Sequence, residues 1–185
     1  MNEIQNAILS RRSTRGFTAE PLNEQEIRAL VDAALASPTA RNLQDWHFCF
    51  VQDKALLSEF NRAYLELETK DADAEKKAKF ENYDVLFGAP LFIIITLPEQ
   101  PRSNFAEVDA GIAVENLALS AMGLGLGSVI VGRPKIVFNG SEGAAWEKRC
   151  GFPEGHHFSI GIVIGHNCVT KDAHPIGEEK ISFIG

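Results

Sequence analysis

Three cysteines are too few and too scattered to organise this chain. Cys49, Cys150 and Cys168 form no CxxC pair and, being odd in number, no self-contained disulfide framework. A reducing cytoplasmic setting is therefore expected. Metal-ligand spacing is missing as well. His156-His157 follows Pro153 without the HxH, HExxH or CxxC partners of a zinc site, and reads as a surface pair beside a turn. No GxSxG occurs, and no cysteine stands with an obvious histidine and acid, so nucleophilic hydrolysis has no support. The apolar stretch Leu91–Leu97 falls far short of the roughly 20 residues that cross a bilayer. Met1-Asn2-Glu3-Ile4 begins no basic-then-apolar leader, so no secretory signal is expected. Basic charge is also scarce: 25 Asp and Glu outnumber 18 Lys and Arg, for a formal charge of -7. Nucleic-acid and membrane binding are thus not expected.

What is present fits one globular domain, 1–185, with 45% hydrophobic and 23% charged residues and no repeat or linker. Asn2 with Gln5, and Asn23 with Glu26, have the spacing of capping boxes that start two helices. Ile27, Leu30, Val31, Ala34 and Leu35 follow helical spacing, with Pro38 as the stop. His47–Val51 reads as a strand, and Asp53 as the cap of a helix carrying Leu56, Leu57, Phe60, Tyr64 and Leu67. The charged stretch from Lys70 to Lys79 reads as a solvated helix or a mobile insertion. Leu91–Leu97 is a fully buried strand. Asp109–Met122 is a helix with apolar residues around much of its circumference, ended by Gly123, and it should be covered by sheet or by another subunit. Val129–Val131 and Ser159–Ile164 are further buried strands, and Ile181 and Phe183 suggest a last short one. The fold class is α+β: four or five short strands covered by helices.

Two clusters run against the background. Arg11-Arg12-Ser13-Thr14-Arg15 puts three guanidiniums and two hydroxyls into five residues of an acidic chain. Guanidinium forks match phosphate oxygens, and hydroxyls add neutral hydrogen bonds. A solvated helix end is the competing reading, since cations favour a helix C-terminus. Ser37-Pro38-Thr39-Ala40-Arg41-Asn42-Leu43-Gln44-Asp45-Trp46 is a loop whose amides suit the alternating donors and acceptors of a heterocycle edge. Gly123-Leu124-Gly125-Leu126-Gly127-Ser128 is no dinucleotide fingerprint: its last position is Ser, and a helix precedes it where a strand should. Phosphate-type and heterocycle-type groups without a protein catalytic constellation suggest a cofactor that carries the chemistry.

Residues 4–18, 34–50 and 107–132, in this order and spacing, resemble the FMN-dependent nitroreductase family, and specifically its short, single-domain, oxygen-insensitive members. The matching motifs are Arg11–Phe17, Ser37–Phe48 and Asp109–Ser128. The resemblance implies a mostly antiparallel sheet of four to five strands flanked by helices, in an intertwined homodimer with FMN at each of two intersubunit sites. It implies that Arg11, Arg12 and Ser13 hold the FMN phosphate and ribityl chain. Arg15 then faces the N1/C2=O edge and stabilises charge there. Pro38, Thr39 and Ala40 lie along the ring from the partner subunit, Asn42 and Gln44 bind or brace, and the Val131 and Gly132 backbone lies near N5. No side chain is expected to act as acid, base or nucleophile. Asp45 stands where the family usually has Pro, which should loosen the loop. Lys171 and His174, with Lys180 as a further candidate, stand in for the family's terminal phosphate clamp; a histidine there would make phosphate affinity weaker and pH-dependent. Tyr64–Asp84 should shape the substrate pocket. The implied activity is NAD(P)H-dependent reduction of nitroaromatics or quinones by a ping-pong route. Enoate reduction, reductive dehalogenation or non-catalytic flavin binding are the alternatives.

Overall fold

The computed structural model describes residues 2–169, 171–173 and 177–185. The two predicted capping boxes are formed. Asn2 and its Gln5 partner start α1 (Glu3–Ser10), and Asn23 and Glu26 start α2 (Glu24–Leu35). Helix α2 ends at Leu35, short of Pro38, because Pro38 disfavours a helical Ser37 before it. Strand β1 is His47–Val51, and Asp53 caps α3 (Lys54–Thr69) by accepting from the amides of Ala55 and Leu56. The charged stretch after α3 forms the expected solvated helix, α4 (Ala74–Phe80), whose residues are exposed up to Lys79 and which is anchored by buried Phe80 at its end.

Strands β2 (Leu91–Pro98), β3 (Gly127–Val131) and β4 (His156–Gly165) join β1 in an antiparallel sheet of order β1-β2-β4-β3. Strand β2 is covered on both faces, which explains its unbroken apolar run. One face carries Cys49, Val51, Phe92, Ile94, Val129, Val131 and Val163. It packs on α3, on α6 (Lys135–Phe138) and on α7 (Gly143–Arg149) through Phe60, Tyr64, Phe138 and Trp146. The other face carries Leu91, Ile93, Ile95, Ile162 and Ile164 against α2 and α5 (Ala106–Gly123).

Helix α5 starts earlier than Asp109, because Ala106 is itself buried against the sheet. Ala110, Ala113, Ala118 and Ala121 let it lie close on the strands, whereas Val108 and Ile112 on the far side remain exposed. Its apolar residues thus fall on two faces, of which this chain covers one. The turn after α5 uses Gly125, not Gly123, as its left-handed residue (φ +76°). Leu126 N–H donates to the Ala121 carbonyl and Gly125 N–H to that of Met122, a Schellman closure. The predicted last strand is not formed: residues 181–185 have no regular structure, with Phe183 and Ile184 almost fully exposed. The tail joins neither edge of the sheet.

Candidate functional site

The chain leaving α1 is laid across the end of the β3–β4 pair. Thr14 N–H donates to the Ser128 carbonyl at 2.9 Å, Thr18 N–H to that of His166 at 2.9 Å, and Cys168 N–H to that of Gly16 at 3.1 Å. Gly127 makes this approach feasible, since a Cβ there would sit 2.8 Å from Asn167 Cβ and 2.9 Å from Thr14 Cγ2. Two adjoining clefts of about 290 and 520 Å³ result, and Arg11, Arg12 and Lys171 line both. Thr14, Gly125, Ser128 and Asn167 complete the first, and Ser13 lines the second.

The arginines differ in how they are held. Arg11 is half-buried, with Nε 3.2 Å from Glu115 Oε1 on α5. The pair is off the hydrogen-bond line, so this buried N–H lacks a hydrogen-bond partner. Such a partly exposed pair contributes about 0–1 kcal/mol, which leaves Arg11 available to a stronger anion. Arg12 donates through Nη1 to the carbonyls of Leu9 (2.8 Å) and Arg11 (2.6 Å), satisfying the end of α1. The helix-end reading thus holds in part for Arg12. Arg15 is exposed, its Nη1 at the outer limit of hydrogen bonding (3.5 Å) from the Ser13 carbonyl. Lys180 is exposed in a short 3-10 turn, Glu178–Lys180. His174 lies outside the described residues.

The amide-rich loop sits elsewhere. Exposed Pro38 leads into half-buried Thr39 and Ala40, and Ala40 N–H donates to buried Asp109 Oδ1 at 3.0 Å. Asn116 Nδ2 donates to Ser37 Oγ at 3.0 Å. Arg41, Asn42 and Gln44 all take left-handed φ (55°, 53° and 52°), which costs roughly 1–3 kcal/mol each unless the surroundings enforce it. They are enforced. Gln44 N–H donates to Thr39 Oγ1 (3.0 Å), and Gln44 Nε2 donates to Asn42 Oδ1 (2.7 Å). Asp45 does not loosen the loop but clamps it. Its carboxylate, with the side chain 6% exposed, accepts from Arg102 N–H (2.8 Å) and Nε (2.6 Å), and Arg102 also bonds the Leu43 carbonyl. Nothing local in the sequence marks Arg102 or Asp109 for these roles, because their partners are 57 and 69 residues away.

Ala40 meets the first turn of α5, whereas the arginine clefts reach Met122 at its last. At 1.5 Å per residue these points are about 20 Å apart along the axis. No residue of 37–45 lines either cleft. Within one chain the two predicted halves of the site are therefore not brought together.

Strand β3 runs from the arginine clefts to buried Val131 and exposed Gly132. Arg133 follows, its Cζ 5.5–5.8 Å from the ring centroids of Tyr64, Phe80 and Tyr83, and its Nη2 3.1 Å from Glu68 Oε1. Burial pushes the Tyr64 hydroxyl up to about 12. Burial also raises Glu68, but Lys76 and Arg133 outweigh it and hold that carboxyl below its ordinary range. Thiol chemistry has no candidate in the core: burial pushes Cys49 and Cys150 each up to about 12. Among the described residues no cluster has the makings of a metal centre, and no helix is long and apolar enough to cross a membrane.

Helices over both faces of an antiparallel sheet, with Arg11, Arg12 and Lys171 lining clefts at the end of the β3–β4 pair, define an α+β protein. Residues 8–166 match the family model described as the nitroreductase family, and the chain belongs to that family. A nitroreductase with bound FMN from Desulfitobacterium hafniense has the same fold, with a TM-score of 0.92, 29% identity and full coverage of both chains. An FMN-dependent nitroreductase from Clostridium difficile R20291 gives a TM-score of 0.83 at 27% identity, covering 99% of each chain. Among characterised sequences, the NADPH-flavin oxidoreductase of Vibrio harveyi is 27% identical over 181 residues, covering 95% of this chain and 70% of its own length.

Proposed function

We propose that this protein is a cytoplasmic FMN-dependent oxidoreductase. It takes electrons from NADH or NADPH and passes them to an electron-poor small molecule, such as a nitroaromatic or quinone, in a ping-pong cycle. One observation carries the reading: Arg11, Arg12 and Lys171 converge on one pair of clefts, and the Arg11 guanidinium is held by a partly exposed pair with Glu115 at 3.2 Å. Two guanidiniums and an ammonium on one pair of clefts match the oxygens of a phosphate, so the residues present fit the group that the Desulfitobacterium hafniense protein binds. FMN, when bound, supplies the redox chemistry. Arg11, Arg12, Ser13 and Lys171 hold its phosphate end, and exposed Arg15 places a cation at the N1/C2=O edge. The Val131–Gly132 backbone lies along the ring.

The working unit is a homodimer. Pro38, Thr39, Ala40, Asn42 and Gln44 cannot reach their own chain's clefts but can reach a partner's. Exposed Ile4 and Ile8 of α1 and Val108 and Ile112 of α5 supply an apolar face, each such side chain contributing about 1.5–3 kcal/mol when buried. The free edge of β1 beside Val31, Leu35, Trp46 and Phe48 can take the partner's Ile181–Ile184 tail, which intertwines the two chains.

The test is direct. Heat-released cofactor is identified by mass, the holoprotein is titrated anaerobically with each nicotinamide, and an acceptor panel follows. FMN at full occupancy with turnover is expected; FAD at full occupancy, or no reduction by either nicotinamide, refutes the reading. Sedimentation at nanomolar concentration is expected to give a dimer, and a flavin-loaded monomer would refute the intertwined assembly.

A further inference from the structure

We propose that Arg133 is a specificity-determining residue whose guanidinium reads an anionic oxygen group, carboxylate or phosphate, on the molecule that approaches Gly132. The proposal rests on the reading of Val131–Gly132 as the edge beside the flavin ring.

Three observations carry it. First, position: Arg133 is the next residue after exposed Gly132 at the end of β3. Second, preorganisation: three rings (Tyr64, Phe80, Tyr83) and Glu68 fix the guanidinium, yet its side chain stays 53% exposed. A planar cation already ordered loses little conformational freedom when it takes a ligand oxygen. Third, charge: Glu68 Oε1 is shared at 3.1 Å by Arg133 and Lys76, so one carboxylate serves two cations. Lys76 has further acids nearby, since it lines a cleft with Asp71 and Asp73. Neither cation has another carboxylate within 4.0 Å among the described residues, so the Glu68–Lys76–Arg133 group carries one net positive charge, of which the half-exposed Arg133 guanidinium is the part next to Gly132, in a chain that is acidic as a whole.

A plain structural role, in which Arg133 only ties α3 and α4 to the end of β3, uses the same contacts. The two roles predict opposite results for two variants. If Arg133 binds an anion, Glu68 competes with the ligand, so Glu68→Gln strengthens anion binding while Arg133→Gln weakens it. If Arg133 is only a clasp, both variants loosen the same segment and shift all ligands alike.

The experiment uses FMN-loaded protein. Calorimetry without reductant measures the affinity for 4-nitrobenzoate and for neutral 4-nitrobenzamide. Steady-state kinetics then gives kcat/KM for both, and for NADPH against NADH. Wild-type protein is expected to prefer the carboxylate. Arg133→Gln is expected to reduce the nitrobenzoate-to-nitrobenzamide affinity ratio at least about tenfold, the worth of one charge-assisted hydrogen bond. Arg133→Lys keeps part of the preference as a point charge, and Glu68→Gln raises it. Loss confined to the NADPH-to-NADH ratio also supports the proposal and assigns the anion to the reductant's extra phosphate. Unchanged ratios in both arms, or equal shifts of both ligands in both variants, overturn it while leaving the flavin reading intact. A preparation whose absorbance spectrum shows no bound flavin overturns that reading and this proposal together.

Discussion

Asp109→Ala tests whether the loop proposed to serve a partner's flavin is latched from α5. Asp109 is 5% exposed, and its Oδ1 accepts from Ala40 N–H at 3.0 Å. The substitution leaves a half-buried amide without its acceptor and removes an acid from the first turn of α5. A hydrogen bond to a charged group contributes about 1.5–3 kcal/mol, and a first-turn acid adds about 0.3–1 kcal/mol. The sum is about 2–4 kcal/mol. For a chain of this size each kcal/mol moves Tm by roughly 2–4 °C, so Asp109→Ala is expected to melt roughly 4–16 °C lower. Asp109→Asn keeps a carbonyl oxygen for Ala40 and loses only the charge, so it should forfeit about half as much. The loss should extend to FMN, because Thr39 and Ala40 are assigned to the partner's flavin. Flavin-fluorescence titration should rank wild type tightest, then Asp109→Asn, then Asp109→Ala. Asp109→Ala with the wild-type melting temperature and the wild-type FMN affinity would refute the latch.

Arg11→Ala should raise the FMN dissociation constant about ten- to a hundredfold and regain activity with added FMN, while Arg15→Ala should keep FMN but lower its potential and slow its reduction. If both variants simply lose FMN and share one potential when saturated, the division of roles is wrong. Asp45→Ala should free Arg102 and release the left-handed loop, seen as faster tryptic cleavage after Arg41; an unchanged cleavage rate contradicts the clamp. Acid should destabilise the fold through His156. Burial, with His47 and His157 adding to it, holds this imidazole below its ordinary 6.5. The unfolded chain therefore binds a proton first, and stability falls as pH drops from about 6.5 toward the lower folded value. The urea midpoint should decline over that window in wild type and less in His156→Asn; identical declines argue against it.

Much of the chain was legible because it depends on neighbours in sequence. The capping boxes at Asn2 and Asn23, the cap at Asp53 and the buried run in β2 were all read correctly. Each is decided within a few residues, by a side chain reaching an orphan amide or by hydrophobic periodicity. The Arg11–Arg15 cluster was legible for a different reason, since its charge contradicts the composition around it. The misreadings share a cause. Gly123 and Gly125 look alike in sequence, and only the path of the chain into β3 chose Gly125 for the left-handed turn. Ile181–Phe183 alternates like a strand, but alternation does not choose an edge to join, and this tail pairs with none of the described strands.

By itself the sequence determined the capped helices α1, α2 and α3, the strands β1 to β4, the family and the presence of a cationic segment, since these are written in local pattern and spacing, whereas it did not mark α6 or α7. Tertiary structure chose Lys171 from the candidates the resemblance implied and placed it beside Arg11 and Arg12, and it alone decided that Asp45 is clamped by Arg102 and that Arg133 sits in a ring of aromatics. Those contacts join residues dozens of positions apart. A long-range contact depends on how two packed surfaces meet in space, which no short window of sequence contains.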